Sequence, residues 1–176
     1  KVKERYNGSG ATVRGFNVEG RAAFTRWFEL QAGVTLQQSR YKEPEFWSED
    51  AEVPPVRRMF RTPDAYGYFT ASFKPVRNFT ADLSGTCTGS MLVQHMAGSG
   101  VGQDVAVSTP SFFDMNIRLS YDVRIYKEIT MQLYGGVQNL FNAYQKDFDK
   151  GVDRDSGYIY GPSLPRSWFV GAKFSF

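Results

Sequence analysis

The feature that most limits the fold is a strict two-residue alternation between Phe113 and Ile125. Phe113, Met115, Ile117, Leu119, Tyr121, Val123 and Ile125 share one side; Asp114, Asn116, Arg118, Ser120, Asp122 and Arg124 share the other. Extended backbone sorts residues this way, whereas a helix spreads both sets about its axis. The pattern recurs. Over Ile129 to Phe141 the apolar side is Ile129, Met131, Leu133, Val137 and Phe141, and over Ser167 to Phe176 it is Trp168, Val170, Ala172, Phe174 and Phe176. Phe79 to Val93 and Phe28 to Leu36 alternate as well, and Ala65 to Phe73 and Ala11 to Ala22 do so less cleanly. This predicts an all-β chain of about seven strands, each near the ten-residue length of a tilted membrane strand.

Mean hydropathy is −0.41, which by itself argues against a membrane protein. A transmembrane barrel, however, alternates apolar with polar residues and averages out mild. No stretch approaches the roughly 18–20 apolar residues of a membrane helix, so a membrane location requires a barrel. Short connections fall around Phe24-Thr25-Arg26, Lys74-Pro75-Val76-Arg77 and Arg124-Ile125-Tyr126-Lys127. Long polar loops fall at Tyr41 to Asp64, His95 to Pro110 and Asn142 to Pro165. Short turns at one end and long loops at the other are the asymmetry of outer-membrane barrels; a soluble sandwich has no reason to sort its loops so. Aromatic residues make up 16% of the chain, and many stand near strand ends, as in the girdles at the two membrane interfaces.

The net charge of +3 is spread along the chain, with no block that predicts a nucleic-acid partner. Arg57, Arg58 and Arg61 cluster too thinly for a phosphate site. The single cysteine, Cys87, rules out an internal disulfide and a cysteine-based zinc site; it reads as a small packing residue. The start, Lys1-Val2-Lys3-Glu4-Arg5, has no apolar run behind it and is not a signal peptide. The chain is therefore expected to be a processed product or a piece of something longer.

Three segments carry a family resemblance. Gly135-Gly136-Val137-Gln138-Asn139-Leu140-Phe141-Asn142-Ala143-Tyr144 resembles the penultimate strand of TonB-dependent outer-membrane receptors. Pro165-Arg166 followed by the alternating run to Phe176 is similar to their last strand, and Thr12 to Glu19 to an earlier one, with Gly15 and Glu19 toward the lumen. The resemblance implies that residues 1–176 are the C-terminal segment of a barrel of roughly 22 strands, without the plug and the first barrel strands. About seven strands cannot close such a barrel, and a lipid-embedded edge is not tolerated. It further implies outer-membrane lipid, the rest of the barrel and plug, the TonB complex and the barrel assembly machinery as partners, with Phe176 as an assembly signal. The implied function is active, TonB-energised uptake of a large scarce nutrient of siderophore, haem, cobalamin or glycan type. A passive porin-like channel and a soluble all-β binding module are the alternatives, and an eighth strand near Lys1 to Gly10 closing a small barrel is a third arrangement.

No Ser/His/Asp set, nucleophile elbow or phosphate loop is present, so no enzyme and no resident cofactor is expected. Asp147, Asp149, Asp153 and Asp155 alternate within a glycine-bearing loop, a pattern that suits calcium, a hard ion taking six to eight oxygens. Lys150 and Arg154 partly neutralise them, and a solvated loop is the other reading. His95, the one histidine, reads as an ordinary loop residue. Glu43, Glu45, Glu49, Asp50 and Glu52 make the first long loop acidic, which either draws a cation or is simply solvated.

Overall fold

The computed structural model describes residues 8–162 and 164–176. It contains ten strands and no helix among the described residues: β1 (Ala11–Thr25), β2 (Phe28–Glu45), β3 (Val56–Arg58), β4 (Ala65–Val76), β5 (Phe79–Thr88), β6 (Leu92–His95), β7 (Val105–Ser108), β8 (Phe112–Tyr126), β9 (Ile129–Gln138) and β10 (Ser167–Ser175). Seven of them form one antiparallel meander in the order β1-β2-β4-β5-β8-β9-β10. Short β3 pairs antiparallel with the far end of β2 as an eighth strand of the same sheet, and β6 and β7 form a separate hairpin.

Directly opposed residues of an antiparallel pair lie on the same face, so the register can be followed across the sheet. One row runs Ala22, Leu30, Ala71, Leu83, Ile117, Val137, Trp168 through all seven strands. The adjacent row runs Arg21, Gln31, Thr70, Ser84, Asn116. One face is apolar and the other polar from edge to edge. A slip of one residue at any pair would exchange the faces, so the alternation itself fixes the register. Rings fill the room left by facing glycines: Tyr68 lies over Gly33, Phe69 over Gly85 and Tyr134 over Gly171.

The apolar face is not covered by the chain. Phe16 is 61% exposed, Trp168 77% and Val170 90%. Of the buried apolar residues, only Ala71 and Val137 belong to the meander; Val53, Val93 and Tyr158 lie in the connections. A soluble all-β module buries such side chains, each worth about 1.5–3 kcal/mol. This sheet leaves them open, so that alternative does not describe it. β1 and β10 are the two edges of the sheet, which is open. The suggested strand near Lys1 to Gly10 lies largely outside the described residues.

The connections divide by end. Two-residue turns at Arg26-Trp27, Arg77-Asn78 and Lys127-Glu128 join β1 to β2, β4 to β5 and β8 to β9. Three long connections stand at the other end: L1 (46–64), L2 (89–111) and L3 (139–166). Several boundaries differ from the sequence expectation. The turns come up to three residues later, because β1 runs on to Thr25, β4 to Val76 and β8 to Tyr126. β2 continues past Leu36 to Glu45, paired with β1 as far as Tyr41. Phe79 to Val93 is not one strand. Gly89 gives its N–H to Ala65 O, and the Ser90 carbonyl is taken by Arg58 Nη2 at 2.7 Å. The backbone therefore leaves the sheet, and Leu92 and Val93 pair within the hairpin instead. β9 stops at Gln138, because Asn139 has φ +50°. Cys87, read as a packing residue, is exposed on the apolar face, opposite Gly67 and Phe113.

Candidate functional site

L1, L2 and L3 fold onto one another into a cap at one end of the sheet. L1 meets L2 through a bridge between Phe60 and Leu92, the Arg61 N–H donating to Leu92 O at 2.8 Å, and the Ser48 hydroxyl donating to Asp104 at 2.6 Å. L1 meets L3 through Arg61, whose guanidinium donates to Ile159 O at 2.8 Å and also to Gly157 O. Arg58 pairs with Asp64 and Arg57 with Glu43, so all three clustered arginines are held by the chain's own groups.

L2 and L3 are joined by the tightest cluster. His95 and Asp149 have side-chain exposures of 8% and 4%, and His95 Nε2 lies 2.9 Å from both Asp149 carboxylate oxygens. The imidazole stacks on Tyr158 at 3.7 Å with 6° between the planes. His95 is thus a buried junction residue, not an ordinary loop residue. It ends β6 facing Asp149, which also accepts the Asp155 N–H. Asp155 in turn accepts the N–H groups of Met96 and Gly157. Asp147 accepts the hydroxyls of Tyr158 at 2.9 Å and Tyr160 at 2.6 Å. Beneath them Gln145 is fully buried: its amide donates to Tyr158 O and accepts the Tyr160 N–H.

The four aspartates noted for calcium are engaged with other partners. Asp147 and Asp149 point at tyrosine and histidine donors, Asp155 at backbone N–H groups, and Asp153 meets L2 through its carbonyl, which accepts the Ser99 N–H. Among the described residues no three His, Cys, Asp or Glu side chains converge to hold a metal ion. The acidic residues expected in the first long loop are likewise dispersed: Glu43 and Glu45 lie at the end of β2, Glu45 accepting from Ser9 and Glu43 standing beside Arg57.

The root of L3 is built on Asn139, which is 5% exposed. Its amide donates to Ala143 O and Leu164 O and accepts the Ala143 N–H, while its own N–H goes to Asn116 Oδ1. Its positive φ is one that asparagine tolerates better than most residues. Leu140 N–H is tied to Met115 O, Phe141 lies 5.8 Å from Phe113, and the Arg166 N–H donates to Asn142. Pro165 lines a cavity of about 350 Å³ with Asp114, Asn116, Gln138 and Asn139. The segments around Asn139 to Phe141 and Pro165 to Arg166 thus meet as the two feet of one loop. Asn139→Ala removes three bonds and strains the backbone; a loss of about 2–3 kcal/mol is expected, read as a lower urea midpoint of the folded barrel and faster protease cleavage in L3. A larger cavity of about 510 Å³ opens at L1, walled by Tyr41, Phe46, Trp47, Phe60 and Gln94.

The cap's carboxylates are tuned to remain charged. The His95 bond, then the Asp155 N–H, holds Asp149 below the usual carboxylate range. At Asp147 burial pushes upward, but the Tyr160 and Tyr158 hydroxyls outweigh it and the group also sits low. Asp104 is lowered by the Ser48 hydroxyl and the Ala97 N–H. Groups with depressed folded values stabilise above their unfolded value, about 3.9, and lose that contribution as pH falls through the folded value. The cap should therefore hold from neutrality to about pH 4 and loosen below it. Burial and Asp147 push the Tyr158 hydroxyl up to about 12 and raise that of Tyr160 as well. Their contribution is complete below the unfolded value of about 10 and is lost as pH rises through the folded one. Amide protection in L3 should weaken progressively as pH falls below about 4; protection unchanged through that range would contradict the assignment.

No protein-family model and no curated relative matches the chain. Solved structures do. The outer-membrane ferripyoverdine receptor of Pseudomonas aeruginosa, bound to ferripyoverdine, superposes with a TM-score of 0.63 at 13% identity over 92% of this chain. The siderophore receptor PiuA of Acinetobacter baumannii gives 0.62 at 18%, and the ferric-catecholate import receptor Fiu of E. coli K12, in its open form, 0.57 at 19%, each over 92% of this chain. The chain has the fold of a siderophore-receptor barrel wall. It spans only about a fifth of each of those receptors, 19–21% of their length. In this wall the seven-strand meander supplies a two-faced surface, and L1, L2 and L3 supply a cap at one end. Sequence reasoning singled out Asn139 to Phe141 and Pro165-Arg166 by resemblance alone, weighed Arg61 only for phosphate, and gave no role to Gln145, Tyr158 or Tyr160. Only the Tyr158-Ile159-Tyr160 alternation, inside a segment read as loop, hinted at order there.

Proposed function

We propose that this chain is the C-terminal wall of an outer-membrane receptor that imports a large, scarce nutrient, an iron–siderophore complex first among the candidates, with energy delivered through TonB. The observation that carries the reading is the open, uniformly apolar face of a seven-strand meander whose long loops all stand at one end. Lipid is the solvent such a face requires. Edges β1 and β10 join the remaining strands of a barrel of roughly 22. The polar face looks into the lumen toward a plug, and the cap of L1, L2 and L3 stands outside, where ligand is first met. Phe176, exposed just past the end of the last strand, serves the barrel assembly machinery. No bond is made or broken by the chain's own groups.

The test is uptake by the complete receptor carrying this segment, expressed in a host without its own siderophore receptors. Labelled iron–siderophore should accumulate, and loss of TonB should abolish accumulation. Accumulation that persists without TonB would replace this reading with a passive porin-like channel.

A further inference from the structure

The three two-residue turns share a feature that barrel geometry alone does not require. Each puts an exposed cation at its tip: Arg26, Arg77 and Lys127. None of the three takes part in an ion pair among the described residues. Only one acid, Glu128, stands in the turns themselves. Beside each cation is a large exposed apolar side chain: Trp27 and Phe24 next to Arg26, Val76 next to Arg77, and Tyr126 next to Lys127. Lys127 Nζ lies 5.2 Å from the Tyr126 ring centre. Phe24, Phe28 and Phe73 stack behind the first turn, with centroids 5.5 and 4.7 Å apart.

We infer that this turn rim is a binding surface for anionic phospholipid headgroups, one phosphate per turn. The inference rests on the outer-membrane reading above and adds to it a lipid preference. Aromatic rings settle at headgroup level, and Arg and Lys bury their stems in apolar surroundings while holding the charge in the wet interface. A guanidinium matches phosphate with two parallel N–H donors. Neighbouring turns are two strand spacings apart, about 10 Å, so each cation meets its own headgroup instead of sharing one. At the opposite end the clustered arginines are occupied, Arg57 and Arg58 by Glu43 and Asp64 and Arg61 by L3 carbonyls.

The experiment uses the complete receptor reconstituted in vesicles, with acyl-brominated phosphatidylglycerol or phosphatidylcholine as the quencher of tryptophan emission. The Trp27 signal is the difference between the parent and Trp27→Phe. Phosphatidylglycerol should be preferred by roughly fivefold or more at low salt, as a surface cation near an anionic headgroup gives. The preference should vanish in Arg26→Gln/Arg77→Gln/Lys127→Gln and shrink in high salt. Equal quenching by the two lipids in the parent, or an unchanged preference in the triple variant, would overturn the inference and leave the rim to an acidic soluble partner. Protease resistance of the reconstituted barrel is measured in parallel. If that fails in both lipids, the membrane reading itself is what has failed.

Discussion

Leu119→Arg should destabilise the folded barrel by about 2–4 kcal/mol, the cost of a cation on the lipid face near the bilayer midplane. Leu119 is the middle residue of β8, lies between Ala81 and Gly135 in the register, and is exposed on the apolar face. The matched control is Thr70→Arg, mid-way along β4 on the polar face between Gln31 and Ser84. It should cost less than about 1 kcal/mol, because a lumen wall is wet. Urea titration of the receptor in vesicles reads both. In a soluble protein the two exposed positions would tolerate arginine alike, so equal and small losses would remove the distinction on which the lipid assignment stands.

The second large effect is expected at the junction of L2 and L3. Asp149→Ala strips both acceptors from His95 Nε2 and one from the Asp155 N–H. Protease cleavage within L3 should then be roughly ten- to hundredfold faster, the ratio set by losing a charge-assisted hydrogen bond. His95→Phe keeps a ring against Tyr158 but loses the bond, and should fall between the parent and Asp149→Ala. Barrel stability in urea should change much less in either variant, since His95 and Asp149 join loop to loop. If cleavage is unaltered, the three loops do not stand as one folded cap.

The meander was legible in the sequence and the cap was not, for one physical reason. In β8 the side-chain period is local: Ile117, Leu119 and Tyr121 declare a face without reference to any other segment, and the register then follows from matching faces. The cap depends on pairs far apart in the chain, such as Arg61 with Ile159 and Ser48 with Asp104. No periodicity announces these. The alternating aspartates of L3 illustrate the limit. Their spacing is that of an oxygen cage, yet their partners are Tyr158 and Tyr160 across the same loop and His95 of L2. Strand ends went astray for the same reason. Phe79 to Val93 alternates throughout, but Arg58 takes the Ser90 carbonyl and turns the backbone out of the sheet. Asn139, by contrast, was singled out only by resemblance, and its hydrogen bonds now supply the reason an asparagine is needed where L3 begins.

The central claim is that the apolar side of the meander faces lipid and the polar side does not. It is tested most directly by single nitroxide labels along Asn116 to Tyr121 of β8, in the complete receptor with Cys87→Ala as background. Collision with oxygen, which partitions into lipid, is compared with collision with a water-soluble nickel chelate. Oxygen accessibility should peak at 117, 119 and 121 and fall at 116, 118 and 120, a period of two in step with the register. A flat profile, or one with the two sets exchanged, would contradict the account.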